Sequence, residues 1–219
     1  MTNQLTELMT AARRAQSTFE EFSQAQVDAC VRAVGKVIFD NAETLAVDAV
    51  TETLMGNVHD KTLKNQGKSR NVWNYLKNKK SIGVIEDKNE DGIITVAKPV
   101  GVVGAVTPTT SPTMTILCNV MFALKGGNAI IIAPHPRAKN ISVRTVNLIN
   151  DELNKLSAPE NLLQIIREPS MDLTNELMSA VDVLVATGGP AMVKSAYSSG
   201  KPSFGVGAGN VQTIIDQGV

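Results

Sequence analysis

Four short segments of this 219-residue chain concentrate the residue types that hold a ligand. Thr107-Pro108-Thr109-Thr110-Ser111-Pro112 combines four hydroxyls with two prolines beside an expected helix start, a rigid loop rich in short-range hydrogen-bonding groups. Ala133-Pro134-His135-Pro136-Arg137 keeps an imidazole extended between two prolines. Thr187-Gly188-Gly189-Pro190 joins a glycine pair, which lets a ligand approach the backbone, to a proline suited to a first helical position. Free amides at such a helix start favour a phosphate. Gly205-Val206-Gly207-Ala208-Gly209-Asn210 reads G-x-G-x-G rather than the dinucleotide fingerprint G-x-G-x-x-G, and no clear helix follows it. Close packing of that backbone, against a ligand or a neighbouring strand, stays open. Taken singly, each segment has a commoner structural use: a rigid loop, a surface histidine, a turn.

Nucleophiles are scarce. Cys30 falls in an apolar stripe with Val27, Val31, Val34 and Ile38, and Cys118 in one with Met114, Leu117 and Met121. Both read as small core residues, since neither has a basic neighbour in sequence to favour the thiolate. His59 has no evident partner and reads as a surface residue.

The elements that must position these loops follow from hydrophobic periodicity. Residues 1–80 read as helices: one with Leu5, Leu8, Met9 and Ala12 on a face, a second through Val27–Ile38, and a third capped by Asn41 and ended by Gly56. A fourth covers roughly Asp60–Lys79, with Gly67 in its middle. Residues 81–98 carry β-rich ends around Asp91-Gly92, a hairpin signal. From residue 99 to 219 strands and helices alternate. Strands are expected at Val102–Thr107, Ala129–Ala133, Leu162–Arg167, Val181–Ala186 and Pro202–Val206, with Val211–Ile215 as a further candidate. Helices are expected at Thr113–Lys125, Lys139–Leu156, Asp172–Ser179 and Ala191–Ser198. Alternation with short, wholly apolar strands means a parallel sheet covered on both faces. Loops at the carboxyl ends of its strands are where such sheets bind ligands.

Composition excludes several classes. Lys plus Arg and Asp plus Glu are 21 each, so no charge excess argues for nucleic acid or an anionic membrane. The longest apolar run, Ala129–Ala133, is far too short to span a bilayer, and the polar N-terminus has no signal-peptide core. The two cysteines match no metal-ligand spacing, so no metal is expected. The expected setting is the cytoplasm.

Read jointly and in order, VTPTTSP, GGNAIIIAPHPRAK, ATGGPAMVKSAYSSGKP and GVGAGNV resemble the CoA-acylating branch of the aldehyde dehydrogenase superfamily. The resemblance runs over nearly the whole chain. It implies an α/β fold with a parallel Rossmann-like NAD(P)-binding domain, preceded by helices and an oligomerisation hairpin, and with a catalytic domain inserted after it. Residues 1–80 would then be the helical part of the cofactor domain, 81–98 the hairpin and 99–219 the nucleotide-binding core.

Carried over position by position, Thr107, Pro108, Thr109 and Thr110 resemble the loop beside the nicotinamide. Thr110 stands where non-acylating relatives place an asparagine on the oxyanion side. His135 and Pro136 resemble the segment at the adenosine ribose. Thr187, Gly188 and Gly189 resemble the pyrophosphate-binding helix start, and Val206 and Gly207 the glycine-rich turn that follows. Two departures stand out: Ser111 where the branch usually has asparagine, and Gln212 where it commonly has proline. Gly205–Asn210 also lacks the carboxylate with which non-acylating relatives activate water, so an acyl-enzyme can survive until a thiol attacks.

The implied reaction is oxidation of an aldehyde to an acyl-CoA, or its reverse. A cysteine thiolate adds to the aldehyde, hydride passes to NAD or NADP, and coenzyme A takes the acyl group. No acidic residue near Ala133 and Pro136 would reject a 2′-phosphate, so both dinucleotides stay candidates. The family nucleophile follows GVGAGN by a few dozen residues, and the sequence ends at Val219. The expectation is therefore a cofactor-binding part, inactive alone, of an enzyme that is a homo-oligomer at full length. The competing expectation is a non-catalytic nucleotide-binding or assembly module that keeps the fold.

Overall fold

The computed structural model describes residues 1–88, 92–207, 209 and 212–218. Helix α1 (Asn3–Phe19) starts at Thr2, whose hydroxyl accepts from the Leu5 amide, and buries Leu5, Met9, Ala12, Ala15 and Phe19 on one face. Helix α2 (Gln24–Asp40) opens on a Ser23/Gln26 capping box and buries the stripe that contains Cys30. Helix α3 spans Ala42–Thr53 and α4 spans Val58–Leu76.

Two expectations about these helices need correcting. The Asn41 side chain does not cap α3; its amide instead donates to the Val37 carbonyl at the end of α2. Helix α3 stops before Gly56, because Leu54 already takes the left-handed conformation at its end (φ 56°). Helix α4 runs through Gly67, as expected.

Strands β1 (Gly83–Lys88) and β2 (Ile93–Ala97) form a separate antiparallel ribbon. Asp91 of the expected turn lies outside the described residues.

The core alternates as expected: β3 (Val102–Thr107), α5 (Pro112–Lys125), β4 (Ala129–Pro134), α6 (Lys139–Lys155), β5 (Leu163–Ile165), α7 (Met171–Ala180), β6 (Val183–Thr187), α8 (Pro190–Tyr197) and β7 (Ser203–Val206). A single 3₁₀ turn, Pro136–Ala138, leads into α6. The Val211–Ile215 candidate strand is not formed at residues 212–215, and Val211 lies outside the described residues.

All five core strands are parallel, in the order β5-β4-β3-β6-β7. β3 and β4 are buried at every position, which is why they read as unbroken apolar runs. Helix α1 packs on β3, β4 and β5 beside α7, while α5 packs on β3 and β4 from the other side beside α6. Helices α2 and α4 lie over α5, so the N-terminal helices and the sheet share one apolar core.

Side chains reinforce the backbone ladder at the entry to β3. Asn128 accepts from the Val100 and Gly101 amides (2.7 and 3.1 Å) and donates to the Ala123 carbonyl. Gly127 precedes it at φ 75°, a left-handed conformation that glycine adopts without cost. Asp182, at the entry to β6, accepts from the Val102 amide and from both terminal nitrogens of Arg13, fastening α1 to the sheet.

Candidate active site

The strand order reverses direction at β3: β4 and β5 extend to one side, β6 and β7 to the other. Loops leaving β3 and β6 therefore part company at their carboxyl ends and leave a crevice between them, where open α/β sheets take ligands. Here the crevice is a cleft of about 770 Å³. The ladders end level with one another: Thr107 is paired with Pro134, and Thr187 with Val206.

This geometry gathers Thr107, Pro108, Thr109, Thr110, His135, Pro136, Thr187, Gly188, Gly189, Val206 and Gly207 around one cleft. Three segments absent from the sequence-based expectation also reach it: Pro169–Met171, Thr174 of α7, and Ala191, Met192 and Ser195 of α8. Their signal was weak, because the Glu168-Pro169-Ser170 turn carries no glycine and only the parallel pairing of β5 places it at the same sheet edge.

The hydroxyl loop is bound to its neighbours through backbone, leaving side chains over. The Thr107 carbonyl accepts from the His135 amide (3.1 Å), which joins the first two loops. The Thr107 and Thr109 hydroxyls are buried and have no hydrogen-bond partner among the described residues. An unmet buried hydroxyl is costly, and a ligand's polar atoms would relieve it. Pro112 occupies the first position of α5, and Ser111 precedes it without a side-chain cap.

His135 faces the cleft half-buried. Its Nδ1 accepts from the Arg137 amide (3.1 Å), so the neutral ring is the bonded form. Burial, then the Arg137 charge, lowers its pKa below the usual histidine value.

At the third loop the two glycines differ. The Gly188 amide donates to the Val206 carbonyl (3.1 Å) and is not free for a ligand. A side chain at Gly189 would meet open space, and Pro190 brings no amide. The donors left for a phosphate are the first-turn amides of α8 at Ala191 and Met192, which have no acceptor within the helix.

The glycine-rich turn resolves in favour of packing at Gly205. A Cβ there would lie 2.7 Å from Val193 and 2.8 Å from Tyr197, so the glycine lets β7 sit flush on α8. Ala208 and Asn210 lie outside the described residues.

Neither cysteine lines the cleft. Burial pushes the Cys30 thiol up to about 11, and burial also raises Cys118, against the opposing charges of Lys68 and Lys64. Both are protonated at neutral pH. Among the described residues no cluster of histidines, cysteines and carboxylates could hold a metal, and no helix is long and apolar enough to cross a membrane. His59 is exposed on α4.

Two lysines were missed in the sequence. Lys61 on α4 donates to the Thr110 carbonyl (2.9 Å) and Lys64 to the Ser111 hydroxyl (2.7 Å), so α4 grips the cleft loop from outside. With Lys68 they form a row at helical spacing, which could have been noticed but has no meaning until α4 is placed against that loop.

A parallel sheet with this cleft at its switch point makes the molecule a Rossmann-like α/β protein. The family model for the aldehyde dehydrogenase family matches residues 2–208, and the chain belongs to that family. It is 52% identical over 212 residues to a succinate-semialdehyde dehydrogenase (acetylating) of Clostridium kluyveri, covering 97% of this chain and 47% of that protein. With the bifunctional aldehyde-alcohol dehydrogenase of Escherichia coli it shares 41% identity over 216 residues, which is 98% of this chain and 24% of the other. The fold superposes on an acetylating aldehyde dehydrogenase of Geobacillus thermoglucosidasius with a TM-score of 0.92 at 39% identity, covering 95% of this chain and 46% of that one. It superposes on a Rhodopseudomonas palustris propionaldehyde dehydrogenase with bound propionyl-CoA at 0.81 and 38% identity, covering 94% and 46%. The chain thus spans about half the length of the first of these relatives.

Proposed function

We propose that the chain is the cofactor-binding part of an enzyme that interconverts an aldehyde and an acyl-CoA with NAD or NADP. The observation that carries this reading is the convergence of the Thr107–Thr110, His135–Pro136 and Thr187–Gly189 loops on one cleft at the switch point. The cleft suits a dinucleotide by its chemistry. It offers two unmet buried hydroxyls, a helix start with spare amides, and no carboxylate among its described lining residues to repel phosphates.

The dinucleotide, when bound, supplies the hydride acceptor or donor. Thr107 and Thr109 would orient it from the β3 side, and the Ala191 and Met192 amides would hold its phosphates from the β6 side. His135 and Pro136 would flank its ribose, and Arg137, exposed beside them, is compatible with a 2′-phosphate. Thr110 would face the reacting carbonyl. The nucleophile is assigned to residues beyond these 219, because both cysteines here are held as thiols away from the cleft. The missing carboxylate in Gly205–Asn210 favours a thiol such as coenzyme A over water as acyl acceptor.

Residues 1–80, 81–98 and 99–219 act in this reading as helical support, assembly hairpin and nucleotide core. The exposed Val84, Ile93, Ile94 and Val96 of the hairpin favour a homo-oligomer. The cytoplasm, which holds both coenzyme A and dinucleotides, is the proposed location.

Calorimetric titration with NAD⁺ and NADP⁺ tests binding, and reduction of either by aldehyde plus coenzyme A, on the complete gene product, tests the reaction. Binding without turnover would leave a nucleotide-binding or assembly module. Absence of binding would overturn the reading.

A further inference from the structure

We propose that Glu52 is a positioning residue for the dinucleotide: from α3 it holds the start of α6, and through it the His135–Pro136 turn that lines the cleft. The inference rests on the dinucleotide reading of the cleft and adds to it a residue that lies outside the cleft. β4 ends at Pro134, and the 3₁₀ turn Pro136–Ala138 carries the chain straight into α6. On its near side this turn is tied to β3 by the His135 amide and the Thr107 carbonyl. Inside it the bonds are local: the Arg137 amide donates to His135 Nδ1 (3.1 Å) and the Ala138 amide to the His135 carbonyl (2.9 Å). Its far side is fixed only as firmly as the start of α6.

Three features single out Glu52. First, α6 cannot cap itself, because Ala138 stands at its cap position and its first-turn amides have no acceptor within the helix. The half-buried Glu52 carboxylate takes two of them, Oε1 accepting from Asn140 at 2.9 Å and Oε2 from Ile141 at 2.7 Å, across 88 and 89 residues of chain. Helix α7, at the same sheet edge, is instead capped by its own Ser170. Second, Asp48, one turn back on α3, pairs with Arg144, one turn further along α6, and α3 also packs on the 3₁₀ turn itself. Two carboxylates on one face of α3 thus grip α6 where it leaves the cleft. Third, among the described residues Glu52 is in no ion pair, so its charge is met by these amides and by the positive end of α6. Within one helical turn of Pro136, a shift at Asn140 and Ile141 reaches the cleft wall. With a carboxylate already seated there, the phosphates of a dinucleotide are left to the open start of α8.

The test is calorimetric titration of the complete gene product with NAD⁺ and NADP⁺, with His135 followed by NMR. Glu52→Ala should weaken binding of whichever dinucleotide the parent holds more tightly by about threefold to thirtyfold, the range that loss of a helix cap covers. The His135 pKa, held low chiefly by burial, should rise toward the ordinary value of 6.5 as the turn loosens. Glu52→Gln keeps an acceptor oxygen and should recover most of the affinity, which separates a loosened turn from a fold defect. Glu52→Asp, one methylene short, should show a smaller loss of the same kind, and it decides the matter if Glu52→Ala does not fold.

Unchanged affinity in Glu52→Ala, or in Glu52→Asp where the alanine variant does not fold, overturns the proposal alone. So does weakened binding with the His135 titration unmoved, because the effect would then not travel through the turn. A loss in Glu52→Gln as large as in Glu52→Ala would assign the effect to charge rather than to the bonds at the start of α6, and overturns it too. A parent that binds neither dinucleotide overturns the cofactor reading, and the proposal with it.

Discussion

Replacing Asp28 by alanine should strand a charge inside the molecule. Lys125 closes the last turn of α5, and its ammonium pairs with the Asp28 carboxylate of α2. The Lys125 side chain is only 4% exposed, whereas Asp28 is 24% exposed and also accepts from the Gln24 amide at 3.0 Å. Removing one partner of a buried pair costs about 3–5 kcal/mol, because the remaining ion has lost its hydration and gained nothing. Water reaches Asp28 from one side, so the lower end, about 3 kcal/mol, is expected for Asp28→Ala. At roughly 2–4 °C per kcal/mol for a chain of this size, the melting temperature should fall by about 6–12 °C.

Lys125→Met removes the charge and keeps an apolar stem of similar length. It leaves behind only a carboxylate that is partly hydrated and still bonded to Gln24, so it should cost much less, about 1 kcal/mol. Asp28→Ala combined with Lys125→Met should recover most of the loss from Asp28→Ala. Thermal unfolding followed by circular dichroism on the purified variants provides the measurement. The reasoning fails if Asp28→Ala melts within about 2 °C of the parent, or if Lys125→Met is the more damaging change. A defect here should also reach the cleft, since α5 begins at the loop that carries Thr110 and Ser111.

Gly205→Ala should destabilise the protein by about 1–2 kcal/mol, since its Cβ would collide with Val193 and Tyr197 and push α8 off β7; weaker NAD⁺ binding by calorimetry should accompany it, as α8 supplies the helix start. For Asp182, burial acts upward on the carboxyl pKa, but the Arg13 hydrogen bond, the Val102 amide and the Arg13 and Lys201 charges outweigh it and hold the carboxyl low. Its stabilisation is thus complete above the ordinary carboxylate range and is lost as pH falls through that range to the folded value. Acid unfolding of Asp182→Asn should show a shallower pH dependence below about pH 4 than the parent, and parallel curves would refute the assignment. By NMR, His135 should titrate below the usual histidine value of 6.5, and a value above it would mean that a carboxylate reaches the ring.

Much of the architecture could be read from periodicity. The apolar runs of β3 and β4, the stripes of α1 and α2, and the β–α alternation after residue 99 each appear at the positions expected, within a residue or two at most ends. Where the reading failed, a local rule met a tertiary competitor. Asn41 is a good helix-capping residue, yet its amide is taken by the Val37 carbonyl of the preceding helix. Val211–Ile215 has strand-forming residues, but residues 212–215 form no strand, and Ile214 and Ile215 lie exposed.

The candidate site divides along the same line. Proline and glycine restrict or free the backbone locally, so the Thr107–Pro112, Ala133–Arg137 and Thr187–Pro190 loops announce themselves in one dimension. Which amides those loops leave free is decided in three dimensions: Gly188 spends its amide on β7, and Gly205 serves packing. The sequence alone therefore determined most of the elements, the proline- and glycine-bounded loops and the family resemblance, because backbone preference and hydrophobic period are properties of neighbouring residues. Tertiary structure alone decided that four loops share one cleft and that Lys61 and Lys64 stand beside Thr110. Contacts across 49 and 47 residues of chain depend on how helices pack on a sheet, which no local spacing encodes.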